Sequence, residues 1–216
     1  MYRHFTRYGT NRMDLCIIAH YREKYPGERG KDLTDRCVQY LAGRIYPEID
    51  PETVRIVRTD AGKPSIEWDE AQNPPSISIS HCGDLFACAF DEENVGIDIQ
   101  NERRVDTQRL SSRYFTEAEQ RYIGGDANRF YTIWTRKEAF SKYTGVGLQQ
   151  ILAGEEVVER TDVAFQDFII DTGNHSAGVR KEVGGAEVSE AEAVIYCSIC
   201  TSAERANETY EIQFFD

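Results

Sequence analysis

A chain of 216 residues with 40% hydrophobic content has enough apolar surface for one sizeable domain or two small ones packed together. With 25 Lys and Arg against 37 Asp and Glu, its net charge of -12 argues against a nonspecific nucleic-acid binder. No apolar run approaches the roughly 20 residues of a bilayer span, and the opening Met1-Tyr2-Arg3-His4-Phe5 lacks a basic-then-apolar leader pattern, so a cytoplasmic protein away from membranes is expected.

In chain order, residues 13–19 read as a buried strand and residues 32–45 as a helix with Leu33, Cys37, Tyr40, Leu41 and Ile45 on one side. Residues 53–58 alternate as a half-buried strand does. The turn at Gly62-Lys63-Pro64 leads into short β-type runs at 65–68, 76–80, 85–90 and 95–99. Thr116-Glu117-Ala118-Glu119 has the form of a capping box at a helix start. Residues 128–143 carry the strongest helical pattern, with Phe130, Ile133, Trp134 and Phe140 on one stripe, and Gly145 and Gly147 end it. Residues 163–170, 193–199 and 209–215 read as strands, so the second half repeats the element types of the first.

The six cysteines are too few and scattered for a disulfide scaffold, and Cys16, Cys37 and Cys88 sit among apolar neighbours, where reduced, buried thiols are expected. Cys197 and Cys200 have the C-x-x-C spacing of redox and metal sites. No second pair stands at zinc-finger distance, and a strand-like run precedes them, so core packing is the reading. Charge falls in blocks: +3 over residues 1–64, -9 over 65–102, +4 over 103–142 and -10 over 143–216. The two basic blocks read either as ordinary solvated surface or as places where phosphates or an acidic partner dock.

Three segments mix apolar anchors with reactive or charged side chains: Ser78-Ile79-Ser80-His81, Gly96-Ile97-Asp98-Ile99-Gln100, and residues 134–142. The strand period of two puts Asp98 and Gln100 on one face, where two oxygen-bearing side chains suit a hard cation; the competing reading is that Asp98 caps a turn or faces water. Glu138 and Lys142 stand at i and i+4, a spacing that also describes a plain surface pair. Yet Glu138 lies beside the apolar stripe, four residues from Trp134, where a carboxylate needs a partner; magnesium on phosphate oxygens would be one.

Taken in order, Gly62-Lys63-Pro64, Ser78-Ile79-Ser80-His81, Gly96-Ile97-Asp98-Ile99-Gln100, Phe115-Thr116-Glu117-Ala118-Glu119, Trp134-Thr135-x-Lys137-Glu138-Ala139-Phe140-x-Lys142 and Gly145-Val146-Gly147-Leu148 resemble the long, pseudo-dimeric, surfactin-synthetase-activating class of 4'-phosphopantetheinyl transferases. The resemblance runs from Gly62 to Leu148. It implies an α+β chain of two similar α/β halves, residues 1–102 and 103–216, with the active site between them and no second copy needed, hence a monomer. By matching positions, Asp98, Gln100 and Glu138 would bind magnesium. Lys63, Ser80, His81 and Lys142 would meet the phosphates of coenzyme A, and Arg29 and Lys31, just ahead of the first helix, its 3'-phosphate.

The implied reaction is attack by a serine of an apo acyl or peptidyl carrier protein on the β-phosphate of coenzyme A, releasing 3',5'-ADP. Glu119 would take the serine proton, with the capping-box role as its competitor, and Lys142 would stabilise the leaving phosphate. The acidity of a carrier protein suits the basic 103–142 block, and Tyr114, Phe115 and Tyr122 read as its apolar contact or as core. Gln100 departs from the Glu of many relatives, so weaker metal binding is expected; Ser78 replaces a frequent Asn. The alternative is a non-catalytic module that binds coenzyme A or a carrier protein, with Gln100 as its mark, against which stands the retention of Asp98, Glu138 and Lys142. The lack of a G-x-x-x-x-G-K-S/T loop removes the commonest other phosphoryl transferase.

Overall fold

The apolar run at residues 15–18, with Asp14 buried ahead of it, makes β1 (Asp14–Ile18) a strand buried along its whole length, as a strand covered on both faces must be. In the computed structural model, which describes residues 13–59, 62–68, 73–171, 178–180 and 194–215, β1 lies inside a four-stranded sheet. Its neighbours are the equally buried β5 (Leu85–Asp91), antiparallel, and β10 (Glu211–Phe215), parallel; β4 (Ser76–Cys82) forms the far edge beyond β5. After the single turn of α1 (Tyr21–Lys24), α2 (Gly30–Ile45) lays Leu33, Cys37, Val38, Leu41 and Ile45 into a core shared with Ile18, Phe86 and Phe90. The hairpin of β2 (Arg55–Arg58) and β3 (Pro64–Glu67) adds Ile56 and Ile66 to the same core.

A second sheet, in the order β6, β9, β7, β8, is built from β6 (Gly96–Asn101), β9 (Val194–Ser202), β7 (Val163–Asp171) and β8 (Gly178–Arg180). Four helices lie between β6 and β7 in the chain: α3 (Thr107–Tyr114), α4 (Glu117–Ile123), α5 (Ala127–Thr144) and α6 (Leu148–Gly154). The expected capping box at α4 is formed, Thr116 Oγ1 accepting from the Glu119 amide and Glu119 Oε2 from the Thr116 amide. The helix α5 starts on Asp126, which accepts from the Arg129 amide, and stops at Gly145, whose φ of 73° suits a left-handed cap.

The helix α5 lies hard against β6. A Cβ on Gly96 would stand 2.0 Å from the Ala139 carbonyl oxygen and 2.5 Å from the Tyr143 amide nitrogen, so only glycine permits this approach. The two sheets meet where β4 faces β6 through serine side chains: Ser78 Oγ accepts from the Ile97 amide at 3.0 Å and Ser80 Oγ from the Ile99 amide at 3.2 Å.

The result is a mixed α+β fold with several sheets. A cut at 102/103 leaves β6 on the opposite side from β9, its pairing partner, and β10 on the opposite side from β1. The first long helix begins at Gly30, so Lys31 sits in its first turn rather than ahead of it, and Arg29 is the residue before it. All six cysteines are buried and none forms a disulfide; Cys197 and Cys200, an odd number apart on β9, join separate cores. Residues 1–12, on which the leader reading rests, lie outside the described residues, as does Ala193. Among the described residues no helix is long and apolar enough to cross a membrane.

Candidate active site

Strand alternation turns Ile97 and Ile99 into the core and Asp98 toward α5. Asp98 is 4% exposed, and its Oδ1 accepts from Ser80 Oγ and from Lys142 Nζ, both at 2.8 Å. Glu138, one turn before Lys142 on α5, is half-buried and accepts from Trp134 Nε1 at 3.1 Å. Burial, and then the negative charge of Asp98, push the Glu138 carboxyl above its usual range, which means that the two acids share one weakly solvated space.

That donor set fits a hard divalent cation. Two carboxylates and an amide oxygen are the groups magnesium prefers, and a cation between Asp98 and Glu138 would remove the repulsion that raises Glu138. Gln100 donates from Nε2 to the backbone and side-chain carbonyls of Asn101, at 3.0 and 2.9 Å, which commits its hydrogens and leaves its carbonyl oxygen to meet a cation or a water. Among the described residues, no cluster of three or more His, Cys, Asp or Glu competes as a metal site.

Beside the carboxylates opens a cleft of about 780 Å3 lined by His81 and by Lys31, Arg58, Lys63 and Lys142, a concentration of cations in an acidic protein. Lys63 Nζ donates to the Tyr143 carbonyl at 3.0 Å and to Asn94 Oδ1, which ties the β3 entrance to the end of α5; burial lowers its pKa. His81 is exposed at the cleft rim near the Tyr21 ring, and loss of water on its covered side, then the charges of Lys142 and Arg22, lower its pKa. A second cleft of about 530 Å3 shares Thr34 and His81 with the first and is lined by Arg22 and Arg29. Lys31, with a side chain 62% exposed, pairs with Asp35 at 2.6 Å.

Of the expected site residues, Asp98, Glu138, Lys142, Lys63, His81 and Lys31 therefore gather around one region, with Arg29 at its second cleft. Ser80 points to Asp98 and the Ile99 amide, so its role is to hold the carboxylate. Arg58 was not anticipated. It donates from Nη2 to Asp35 at 2.7 Å, while its buried Nη1 has no acceptor among the described residues. Only the odd spacing from Arg55, whose side chain is 59% exposed, hints in the sequence that Arg58 turns the other way.

Glu119 is placed differently from a base. It is 0% exposed, and Oε2 lies 3.0 Å from Lys137 Nζ and accepts from the Thr116 amide. Its Oε1 accepts from the Val157 amide at 3.0 Å. Both oxygens are thus committed to pinning α4, α5 and the segment after α6, and the residue does not line the cleft. Phe115 is buried beneath it, and Tyr114 and Tyr122 pack partly buried on the same core.

A family model described as the 4'-phosphopantetheinyl transferase superfamily matches residues 94–197. Over 122 residues the chain is 30% identical to the 4'-phosphopantetheinyl transferase Sfp of Bacillus subtilis (strain 168), a stretch that covers 54% of this chain and 52% of that protein. It is 29% identical over 105 residues to the 4'-phosphopantetheinyl transferase gsp of Aneurinibacillus migulanus, covering 46% and 42%. To the 4'-phosphopantetheinyl transferase AcpT of Salmonella typhi it is 32% identical over 127 residues, covering 55% and 64%. The chain thus spans between about two-fifths and two-thirds of the length of these curated relatives.

Proposed function

The chain belongs to the 4'-phosphopantetheinyl transferase superfamily, of the Sfp-like class, and on that premise we propose that it moves the 4'-phosphopantetheine group of coenzyme A to a serine of an apo acyl or peptidyl carrier protein. The observation that carries the proposal is the meeting of Asp98 from β6 with Glu138 and Lys142 from α5 at the edge of a cation-lined cleft. In the reaction the serine oxygen bonds to the β-phosphorus, the bond from that phosphorus to the bridging oxygen breaks, and 3',5'-ADP leaves.

Lys63, His81 and Lys142 bind the pyrophosphate, and Lys31, Arg58 and Arg29 meet the 3'-phosphate side, where charge-assisted contacts position the substrate for in-line attack. Lys142 remains near the oxygen that leaves with the nucleotide. A magnesium ion held by Asp98 and Glu138, with Gln100 reaching it directly or through a water, would neutralise charge on the pyrophosphate. Both oxygens of Glu119 are engaged elsewhere, so the serine proton passes to solvent water in the cleft rather than to that carboxylate. The two sheets joined through Ser78 and Ser80 support reading the chain as two halves with the site between them. One chain supplies both carboxylates, which suits a monomer, and six cysteines that form no disulfide suit a reducing compartment such as the cytoplasm.

Intact mass of an apo acyl carrier protein after incubation with this protein, coenzyme A and magnesium is the test. A gain of one phosphopantetheine, abolished by a chelator, is the expected result. No gain on several acyl and peptidyl carriers, with coenzyme A binding intact, would replace the transferase by a non-catalytic binding module. A second measurement addresses Gln100. In Gln100→Glu the new carboxylate is repelled by the two Asn101 carbonyls and turns to the cation, so the half-saturating magnesium concentration is expected to fall several-fold. An unchanged value would show that position 100 does not reach the metal.

A further inference from the structure

Four side chains behind the carboxylates belong to no step described above and line neither cleft. Asp98, Ser198 and Asp167 stand opposite one another on β6, β9 and β7, so they form one row across one face of the second sheet. The helix α5 lies over that row. Thr135 Oγ1 is 2.7 Å from Ser198 Oγ, and Ser198 Oγ donates to Asp167 Oδ1 at 2.7 Å. With the serine hydrogen committed to the carboxylate, Thr135 is left to donate to Ser198, its nearest partner, in competition with the Tyr131 and Thr132 carbonyls of its own helix at 3.0 and 3.1 Å. Arg136 closes the chain onto Asp167, with Nε 3.2 and 3.1 Å from its two oxygens and Nη2 2.6 Å from Oδ2. Its Nη1 donates to the Val157 carbonyl at 3.3 Å.

Thr135 is one turn before Glu138 and two before Lys142, on the same side of α5. Thr135 and Ser198 are both 0% exposed. The apolar contacts of Ile133 and Phe140 attract the helix to the sheet but are non-directional and tolerate small rotations. Gly96 fixes how close the helix comes, not where along the strand it stops. A chain of buried, directional hydrogen bonds is what distinguishes one rotation and register from the next.

We propose that the row Thr135, Ser198, Asp167 and Arg136 sets the register of α5 on the second sheet and so holds Glu138 and Lys142 against Asp98, which makes these four residues positioning residues for the cation site. The proposal rests on the transferase reading and deepens it. The substitution Thr135→Val removes the hydroxyl at nearly constant shape, Thr135→Ser retains it, and Asp167→Asn weakens the row from its other end without a cavity.

Binding of magnesium in the presence of coenzyme A, measured by titration calorimetry without any carrier protein, tests it beside thermal midpoints of the same samples. Folded Thr135→Val and Asp167→Asn are expected to bind magnesium about 10- to 100-fold more weakly, as with other residues that orient metal ligands, and Thr135→Ser to stay close to wild type. If Thr135→Val does not fold, Asp167→Asn and the Thr135→Ser rescue decide. Unchanged magnesium affinity in a folded Asp167→Asn or Thr135→Val overturns the proposal alone. Failure of the wild type to bind magnesium overturns the cation reading first, and this one with it.

Discussion

Asp98→Asn is expected to lower turnover by about a thousandfold, roughly 4 kcal/mol on the barrier, because it deletes one of the two anionic ligands of the proposed charge-neutralising cation. The substitution keeps size and shape in a site that is 4% exposed, so the strand and its serine contact survive. What changes is charge. Lys142 loses its carboxylate at 2.8 Å and meets an amide, whose oxygen still accepts while its hydrogens face the same cation. Since the Lys142 side chain is 30% exposed, solvent screens that pair, and its loss costs at most about 1 kcal/mol of stability. Turnover should therefore collapse while the thermal midpoint hardly moves. Steady-state transfer to a carrier protein, measured at several magnesium concentrations beside a melting curve, checks it; activity within tenfold of wild type at low magnesium would remove Asp98 from the cation site.

Lys137→Met is expected to show the opposite pattern. Lys137 and Glu119 are both 0% exposed and 3.0 Å apart, and Lys137 Nζ also donates to the Glu155 carbonyl at 2.5 Å. Removing one partner of a buried ion pair leaves the other charge without compensation and costs about 3–5 kcal/mol. For a chain of this size that lowers the melting temperature on the order of 10 °C. Glu119→Gln, whose one carbonyl oxygen can accept from only one of the Thr116 and Val157 amides while its NH2 opposes the other, also leaves Lys137 unpaired and should lose a comparable amount, and the double substitution, which removes both charges, should cost less than the two single losses added together. Turnover per folded molecule should stay within a few-fold in all three. A folded Glu119→Gln with unchanged melting temperature and turnover down a hundredfold or more would return the base to Glu119.

That pair shows where sequence reading stops. Thr116-Glu117-Ala118-Glu119 announces the cap and leaves open a base, because a carboxylate at a helix start is compatible with both. The decision comes from Val157 and Lys137, one 38 residues away and the other on a different helix. The case of Arg58 is similar. Alternation gives it a face, but nothing local says that α2 brings Asp35 and Lys31 to that face.

By itself the sequence determined the elements with strong periodicity, β1, α2, β4 to β7, α5 and β9, because apolar spacing at two or 3.6 residues is a local property read against solvent. It also singled out Asp98, Glu138, Lys142, Lys63 and His81, which stand in order within short motifs and which the fold gathers around one cleft. It missed α1, α3 and α6: α1 is a single turn, and α3, the polar run TQRLSSRY, has no apolar stripe to read. Only the tertiary structure decided that β10 returns from the end of the chain to lie parallel to β1, that β6 pairs with β9, and that Thr135, Ser198, Asp167 and Arg136 meet under α5. Strand partners and buried polar rows are chosen by which surfaces bury one another across long stretches of chain, and that choice leaves no local signature.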